Sequence, residues 1–186
     1  MTLWGGNDSV DPVTFQKAMI FVDGTNLFHR LASAKLQLTG TARLADVFES
    51  RLRGRQVVRQ YMYTTEQTLA RLRTDHGDNV ADRFRLVFGD AISTAHGNIK
   101  EKGVDALLVA DLIYHAAARN CGYALVVTAD TDFAHGLRRV EDFGCRTGVL
   151  GICCEVPPRL SQAADDVFVL SEQELLTSGL AKKLPG

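Results

Sequence analysis

Six mostly apolar segments, each followed along the chain by a stretch of helical composition, constrain the fold of this 186-residue chain more than any other feature. Runs that are apolar throughout are typical of strands covered on both faces. Strands that alternate with helices favour a parallel sheet. We therefore predict an α/β, Rossmann-like domain with a mostly parallel central sheet and helices on both faces. The predicted strands are residues 18–22, 57–63, 84–88, 123–128, 147–152 and 167–170, and the predicted helices are 27–34, 66–73, 104–119, 131–143, 159–164 and 172–180.

Size and composition predict a single domain, since 46% of the residues are hydrophobic and the chain has about the length expected for a domain with one hydrophobic core. Residues 1–17 lack periodicity and predict a flexible lead-in, which places the domain at residues 18–181 and a tail at 182–186. No apolar run approaches the roughly 20 residues that span a bilayer, and the N-terminus does not resemble a signal peptide. We expect a cytoplasmic protein without a membrane partner and leave homo-oligomerisation open.

The charged residues exclude a protein surface that is basic throughout but allow a local basic patch. A net charge of −1 excludes a protein that is basic over its whole surface. Arginines nevertheless concentrate between residues 43 and 85, where they form either a solvated face or a phosphate-binding rim beside an active site. The four cysteines lack the paired spacing of zinc sites and are interpreted as buried free thiols.

Four aspartates lie where a parallel sheet would bring them together. Asp23 directly follows the first predicted strand, and Asp130 follows the strand at 123–128. Asp105 and Asp132 lie in the first turns of predicted helices, where the helix dipole favours a carboxylate. Each acid alone could be a helix-start or turn residue. Because ligands of open parallel sheets bind beyond the carboxyl ends of the strands, the four together predict a shared site.

A divalent cation is the simplest compensation for converging carboxylates, because these groups repel one another. Carboxylate oxygens suit Mg²⁺ or Mn²⁺, and no His or Cys set competes for a softer metal. Such an ion polarises a phosphoryl oxygen and activates a water molecule. The five histidines show no metal-ligand spacing and are assigned no role.

Three other polar positions flank the predicted site. Asn26 could orient a carboxylate, hold a water molecule, contact substrate or only close the turn. Thr128 is a candidate donor to a metal-bound water or a phosphate. Asp111 lies on the same predicted helix as Asp105 but about 120° around it, followed by His115 and Arg119 at spacings of four. We interpret Asp111, His115 and Arg119 as a separate polar stripe on this helix.

The segment 89–103, GDAISTAHGNIKEKG, predicts a long polar loop that is a candidate for function.

Two other readings of the stretch IFVDGTN fail on single positions. Haloacid-dehalogenase-type phosphatases carry Asp-x-Asp-Gly-Thr after an apolar strand, and their first Asp is the nucleophile. Phe21 stands at that position here, so covalent phosphatase chemistry is excluded. A von Willebrand A-type metal site needs Asp-x-Ser-x-Ser, but Leu27 stands where its last ligand would be.

Three segments in order, IFVDGTN, KGVDALLVADLI and VVTADTDF, resemble the motifs of the NYN domain family, which is related to PIN-domain nucleases. The segment RLSQAADDVFVL is similar to the family's last helix and strand, so the resemblance spans residues 18–170. One departure is that family members often have Ser-Gly-Asp where this chain has Thr128, Ala129 and Asp130.

The resemblance implies a single PIN-like domain that hydrolyses RNA with Mg²⁺ or Mn²⁺. By matching position, it implies Asp23, Asp105, Asp130 and Asp132 as the metal-binding and catalytic cluster, with Asn26 beside it. The alternative is a non-cleaving RNA-binding or regulatory scaffold of the same fold. Candidate contacts to the RNA are Thr128, Lys100, Lys102, Arg53 and Arg55.

Overall fold

A parallel six-stranded sheet forms the centre of the computed structural model, which describes residues 16–39, 43–93 and 99–184. The strand order is β4-β3-β1-β7-β8-β9, and every neighbouring pair is parallel. This arrangement confirms the predicted α/β class. The strands of this sheet are β1 (Gln16–Asp23), β3 (Arg55–Thr64), β4 (Arg85–Phe88), β7 (Tyr123–Val127), β8 (Arg146–Ile152) and β9 (Asp166–Leu170).

Helices cover both faces of the sheet and create two apolar cores. Successive residues of β1 point to opposite sides, so Ile20 and Val22 belong to one core and Phe21 to the other. Because both faces are buried at the centre of the sheet, β7 is apolar throughout and β1 is apolar from Ala18 to Val22, as the sequence pattern indicated. The first core is covered by α1 (Gly24–Ser33), α2 (Leu44–Ser50), α3 (Glu66–His76) and α7 (Glu172–Thr177), and the second by α4 (Val104–Ala117), α5 (Ala134–Glu141) and α6 (Pro158–Ser161).

Two short antiparallel pairs lie outside the main sheet. β2 (Leu36–Leu38) pairs with β10 (Ala181–Lys183), so a strand occupies the start of the predicted tail. β5 (Asp90–Ser93) and β6 (Ile99–Lys102) form a hairpin where the sequence predicted a loop, and that prediction was wrong. These strands satisfy their backbone groups by pairing with each other, so they need no apolar run. Residues 1–15 of the predicted lead-in lie outside the described residues.

The apolar composition of α4 predicts a mostly buried helix, but the structure buries it on one side only. Leu108, Leu112 and Ala116 pack on the sheet, whereas Tyr114 is 62% exposed on the opposite side. The predicted helix at 131–143 begins as a 3₁₀ turn, Thr131–Phe133, and continues as α5. The sequence offers Thr64 or Thr65 as the cap of α3, and the structure selects Thr65, whose side chain accepts a hydrogen bond from the Thr68 amide. No helix in the described ranges has the length and apolar character needed to cross a membrane.

Candidate active site

A cavity of about 200 Å³ opens at the carboxyl ends of β1 and β7 and brings together three of the four predicted aspartates. Asp23 ends β1, Asp130 follows β7, and Asp105 lies in the first turn of α4. β7 lies directly beside β1 in the sheet, so residues about 107 positions apart in the chain become neighbours. We call this space the carboxylate cavity; Thr25, Asn26, His29, Gly103 and Val104 complete its wall.

The glycine after Asp23 is required by a close backbone approach. A Cβ atom at Gly24 would lie 2.9 Å from the carbonyl oxygen of Tyr63, on the neighbouring strand β3. This space allows α1 to begin immediately where β1 ends. As a result, Asp23 is both the last strand residue and the N-cap of α1, with its side chain directed at the helix N-terminus.

Asp23 is 4% exposed and accepts two hydrogen bonds. Its Oδ1 accepts from the backbone N–H of Asn26 at 2.9 Å, and its Oδ2 accepts from Thr128 Oγ1 at 2.9 Å. Burial, with a smaller contribution from the nearby Asp105 and Asp130, raises the pKa of Asp23 to about 6 against the opposing effect of the two hydrogen bonds. The carboxylate is therefore costly to ionise in the absence of a cation.

Thr128 and Asn26 hold the loop that carries Asp130. Thr128 Oγ1 accepts from the Asp130 amide at 3.1 Å while it donates to Asp23. Asn26 Oδ1 accepts from the Ala129 amide at 3.2 Å. Because the only hydroxyl proton of Thr128 is directed at Asp23, this geometry makes Thr128 a positioning residue rather than a donor to substrate. Of the roles that the sequence left open for Asn26, the hydrogen bond from the Ala129 amide favours positioning of the loop.

The outer acids are more open to solvent. Asp105 is exposed at the mouth of the cavity, and Asp132 is exposed and does not line it. The backbone N–H of Asp132 donates to Asp130 Oδ1 at 2.9 Å. Among the residues that the structure describes, no three His, Cys, Asp or Glu side chains converge as a complete metal site. Asp105 and Asp130 therefore influence the ionisation of Asp23, but the three carboxylates do not form a complete three-ligand metal site.

Residues 17–172, most of the chain, match the family profile of the NYN domain. The chain belongs to the NYN domain family. This membership confirms the family that the sequence motifs suggested and supports a nuclease-like fold with a nucleic-acid substrate in general terms. No curated protein matches the sequence significantly.

The fold of this NYN domain is similar to the crystal structure of a protein of unknown function from Vibrio parahaemolyticus. The two superpose with a TM-score of 0.63 over 85% of this chain and 94% of that one, at 18% sequence identity. At this identity the likeness extends to the fold alone.

Three of the four basic candidates for substrate binding, Arg53, Arg55 and Lys102, do not line the carboxylate cavity of the NYN domain. Arg55 begins β3 beside Gln16, at the opposite end of the sheet, about 23 Å along β1 from Asp23. Its guanidinium lies over the Tyr123 ring and pairs with Asp166 at 3.6 Å. Arg53 is exposed in the preceding turn, and Lys102 is exposed at the end of β6. The side chain of Lys100 lies outside the described residues.

His29 is a cavity residue that the sequence interpretation missed. It follows Asn26 by three positions on α1, so both side chains face the carboxylates. The spacing of the histidines gives no sign of this position, because His29 is related to Asn26 by its place on one helix face and not to another histidine. Helical periodicity counted from Asn26 would have found it.

The predicted polar stripe of α4 contacts the sheet next to the carboxylate cavity. Tyr63 Oη donates to Asp111 Oδ2 at 3.0 Å, which raises the pKa of Tyr63 in addition to the effect of burial. His115 Nε2 lies 2.9 Å from Tyr61 Oη. Asp111 is therefore tied to β3 and does not line the carboxylate cavity.

Proposed function

We propose that this NYN domain is a metal-dependent ribonuclease whose active site is the carboxylate cavity. The observation that carries the proposal is a buried carboxylate, Asp23, with Asp105 and Asp130 close enough to raise its pKa. In the described part of the chain, no basic side chain forms an ion pair with Asp23 or Asp130. Uncompensated negative charge at this position favours a bound cation.

The donor set fits Mg²⁺ or Mn²⁺. All candidate donors are oxygens, and Mg²⁺ usually takes one or two carboxylates and keeps several waters. Three converging protein ligands are therefore not required for binding. We assign Asp23, Asp105 and Asp130 as the residues that would hold the ion. When bound, a divalent ion supplies an activated water and offsets charge on the phosphoryl group.

The protein's own groups have distinct roles in this proposal. Thr128 orients the Asp23 carboxylate and, together with Asn26, positions the loop that presents Asp130. Asp132, outside the cavity wall, would orient the attacking water or a second ion at the rim once RNA is bound. His29 lines the wall as a candidate contact to the RNA backbone.

A non-cleaving RNA-binding scaffold is the second candidate. It is favoured because no group of three acid, His or Cys side chains within residues 16–39, 43–93 and 99–184 is placed closely enough to hold a metal ion by itself. A fold that keeps acids at strand ends does not by itself guarantee turnover.

Cleavage of labelled single-stranded and structured RNA with Mg²⁺ or Mn²⁺ distinguishes the two candidates. The assay compares wild type, Asp130→Asn and a matched control, Asp142→Asn, whose carboxylate pairs with Arg139 on the exposed surface. We expect cleavage by wild type and the control and a loss of at least about a hundredfold in Asp130→Asn. Equal cleavage by Asp130→Asn would refute the assignment, and RNA binding without cleavage by wild type would favour the scaffold.

A further inference from the structure

A second polar cavity, of about 340 Å³, lies at the amino end of the sheet on the face covered by α4. We call it the basic cavity; its wall includes Lys17, Arg59, Tyr61, Arg85, His115 and Asn120. α4 runs from the carboxylate cavity back towards this end of the sheet. His115 follows Asp105 by ten residues, which is about 15 Å along the helix. The two cavities are therefore separate but lie along the same helix.

The charge of the basic cavity is uncompensated. Lys17, Arg59 and Arg85 are exposed, and none of them forms an ion pair with another described residue. Among the described residues, no carboxylate lines the cavity. By contrast, several arginines elsewhere are paired with acids, namely Arg51, Arg55, Arg83, Arg139 and Arg146. Three unpaired cations around one concave surface favour an anionic ligand.

A hydrogen-bonded chain orients a neutral donor into the same space. Asn120 Nδ2, which can only donate, lies 2.9 Å from His115 Nδ1. Nδ1 is therefore the acceptor, and the ring proton is on Nε2, which donates to Tyr61 Oη at 2.9 Å. Burial lowers the pKa of His115, as do Arg59 and Arg85, against the opposing effect of Asp111, so the neutral ring is favoured. The hydroxyl proton of Tyr61 has no acceptor among the described residues.

Tyr61 is fixed by its surroundings. It is 5% exposed, and its ring stacks on Phe21 with 5.6 Å between the ring centroids. The Arg85 guanidinium lies 5.9 Å from the Tyr61 centroid. The cavity therefore combines one rigid hydroxyl donor with three flexible cations, which is the donor set that phosphate oxygens accept.

We propose that the basic cavity binds a phosphate group, carried either by an RNA strand or by a free nucleotide. Arg59 and Arg85 would bind the phosphate oxygens, Lys17 would add charge at the rim, and Tyr61 would donate one hydrogen bond. The cavity volume is within the range of ligand pockets. This site is independent of the carboxylate cavity and does not require that the protein cleave RNA.

Binding in buffer with EDTA tests the proposal without any contribution from a divalent ion. The probes are a fluorescent single-stranded RNA of about twelve nucleotides, within the range of single-strand site sizes, a fluorescent AMP analogue, and the same nucleoside without phosphate. The variant Arg59→Gln/Arg85→Gln is compared with Arg71→Gln/Arg73→Gln, which removes the same charge from exposed positions on α3. Tyr61→Phe removes the hydroxyl and keeps the stacked ring, and thermal unfolding checks that each variant folds.

The double variant in the basic cavity is expected to bind at least one phosphate probe about tenfold more weakly than wild type, whereas the α3 variant binds normally. For RNA, the slope of log K against log salt should fall by about 1.4, the contribution of two phosphate contacts. Tyr61→Phe should weaken binding severalfold without changing that slope. A loss for RNA alone identifies a strand as the ligand, and a loss for AMP identifies a nucleotide. Equal binding by the two double variants, or undiminished binding of every phosphate probe by Arg59→Gln/Arg85→Gln, would overturn the proposal.

Discussion

The two ends of the central sheet differ in charge and in construction. At the carboxyl end, Asp23 is buried and linked by hydrogen bonds to Asn26, Thr128 and the Asp130 loop. At the amino end, Arg59 and its neighbours project from exposed strand positions and contact few partners. The acidic end is built from turns between strands and helices, which impose geometry, and the basic end from flexible side chains on strands. A reactive site needs the first arrangement, whereas a phosphate contact needs only the second.

Asp23→Asn should produce the largest effect and should separate stability from activity. The raised pKa of Asp23 means that the folded protein ionises this group with difficulty, at a cost of about 3 kcal/mol for a shift from 3.8 to about 6. In EDTA at pH 7, the variant should have a free energy of unfolding higher by about 2 to 3 kcal/mol, measured in urea. In a separate assay with Mg²⁺ or Mn²⁺, its RNA cleavage should be lost. A destabilised variant would show that the hydrogen bonds to Asp23 outweigh its burial.

The pH dependence of that difference has a defined sign. A carboxyl group with a raised folded pKa is protonated more readily in the folded state, so wild-type stability should fall as pH rises from about 4 to about 6. The increase in unfolding free energy from Asp23→Asn should therefore be absent near pH 4, grow through this window and remain constant above it.

Mn²⁺ should raise the unfolding temperature of wild type at pH 7 but not that of Asp23→Asn.

Gly24→Ala compared with Gly54→Ala tests whether the carboxyl end is packed more tightly. A Cβ at Gly24 would overlap the carbonyl oxygen of Tyr63, whereas one at Gly54, before β3, meets nothing within 4 Å and suffers only from its φ of +77°. We expect unfolding free energies to fall by about 2 kcal/mol for Gly24→Ala and about 1 kcal/mol for Gly54→Ala. The reverse order in urea unfolding would contradict the comparison.

The variants Asn26→Ala and Asn120→Ala each remove one side-chain amide. The first lies at the carboxyl end of the central sheet and the second at its amino end. Loss of Asn26 leaves the partly buried Ala129 N–H without its acceptor and should cost about 1 to 2 kcal/mol. Loss of Asn120 removes a donor to His115 and should cost about 0.5 to 1 kcal/mol. At saturating RNA, the cleavage rate should decrease only in Asn26→Ala, because this residue positions the Asp130 loop. Equal activity in both variants would remove Asn26 from the site.

His76 should have the smallest effect on the pH dependence of stability, and its sign is opposite to that of Asp23. It ends α3 at the amino end, where it is buried and its Nδ1 accepts from the Leu38 amide at 3.3 Å. Burial lowers its pKa, so the folded state resists protonation and stability is lost as pH falls below about 6.5. In His76→Asn, which keeps an acceptor, the free energy of unfolding should decline less between pH 7 and pH 5. An unchanged decline would exclude His76 as its source.

The sequence predicted some elements well for local reasons. Continuous apolar runs identified the central buried strands, and the cap of α3 was narrowed to Thr64 or Thr65 because a cap is a local hydrogen bond. The hairpin of β5 and β6 was missed because its residues are polar and it is stabilised by mutual pairing. The site assignments of Asp23, Asp105, Asp130 and Asp132 stay predictions, and Asp132 is the one that the fold leaves outside the cavity.

The sequence by itself determined the α/β class, the family and the positions of acids at strand ends and helix starts. These follow from periodicity and from residues that are close in the chain. Only the tertiary structure decided which strands are neighbours, and thereby that Thr128 and Asn26 position Asp23 and Asp130. It also brought Lys17, Arg59, Arg85 and His115 to one cavity. Contacts between distant segments depend on strand order and on which face each residue occupies, and neither is encoded in local sequence.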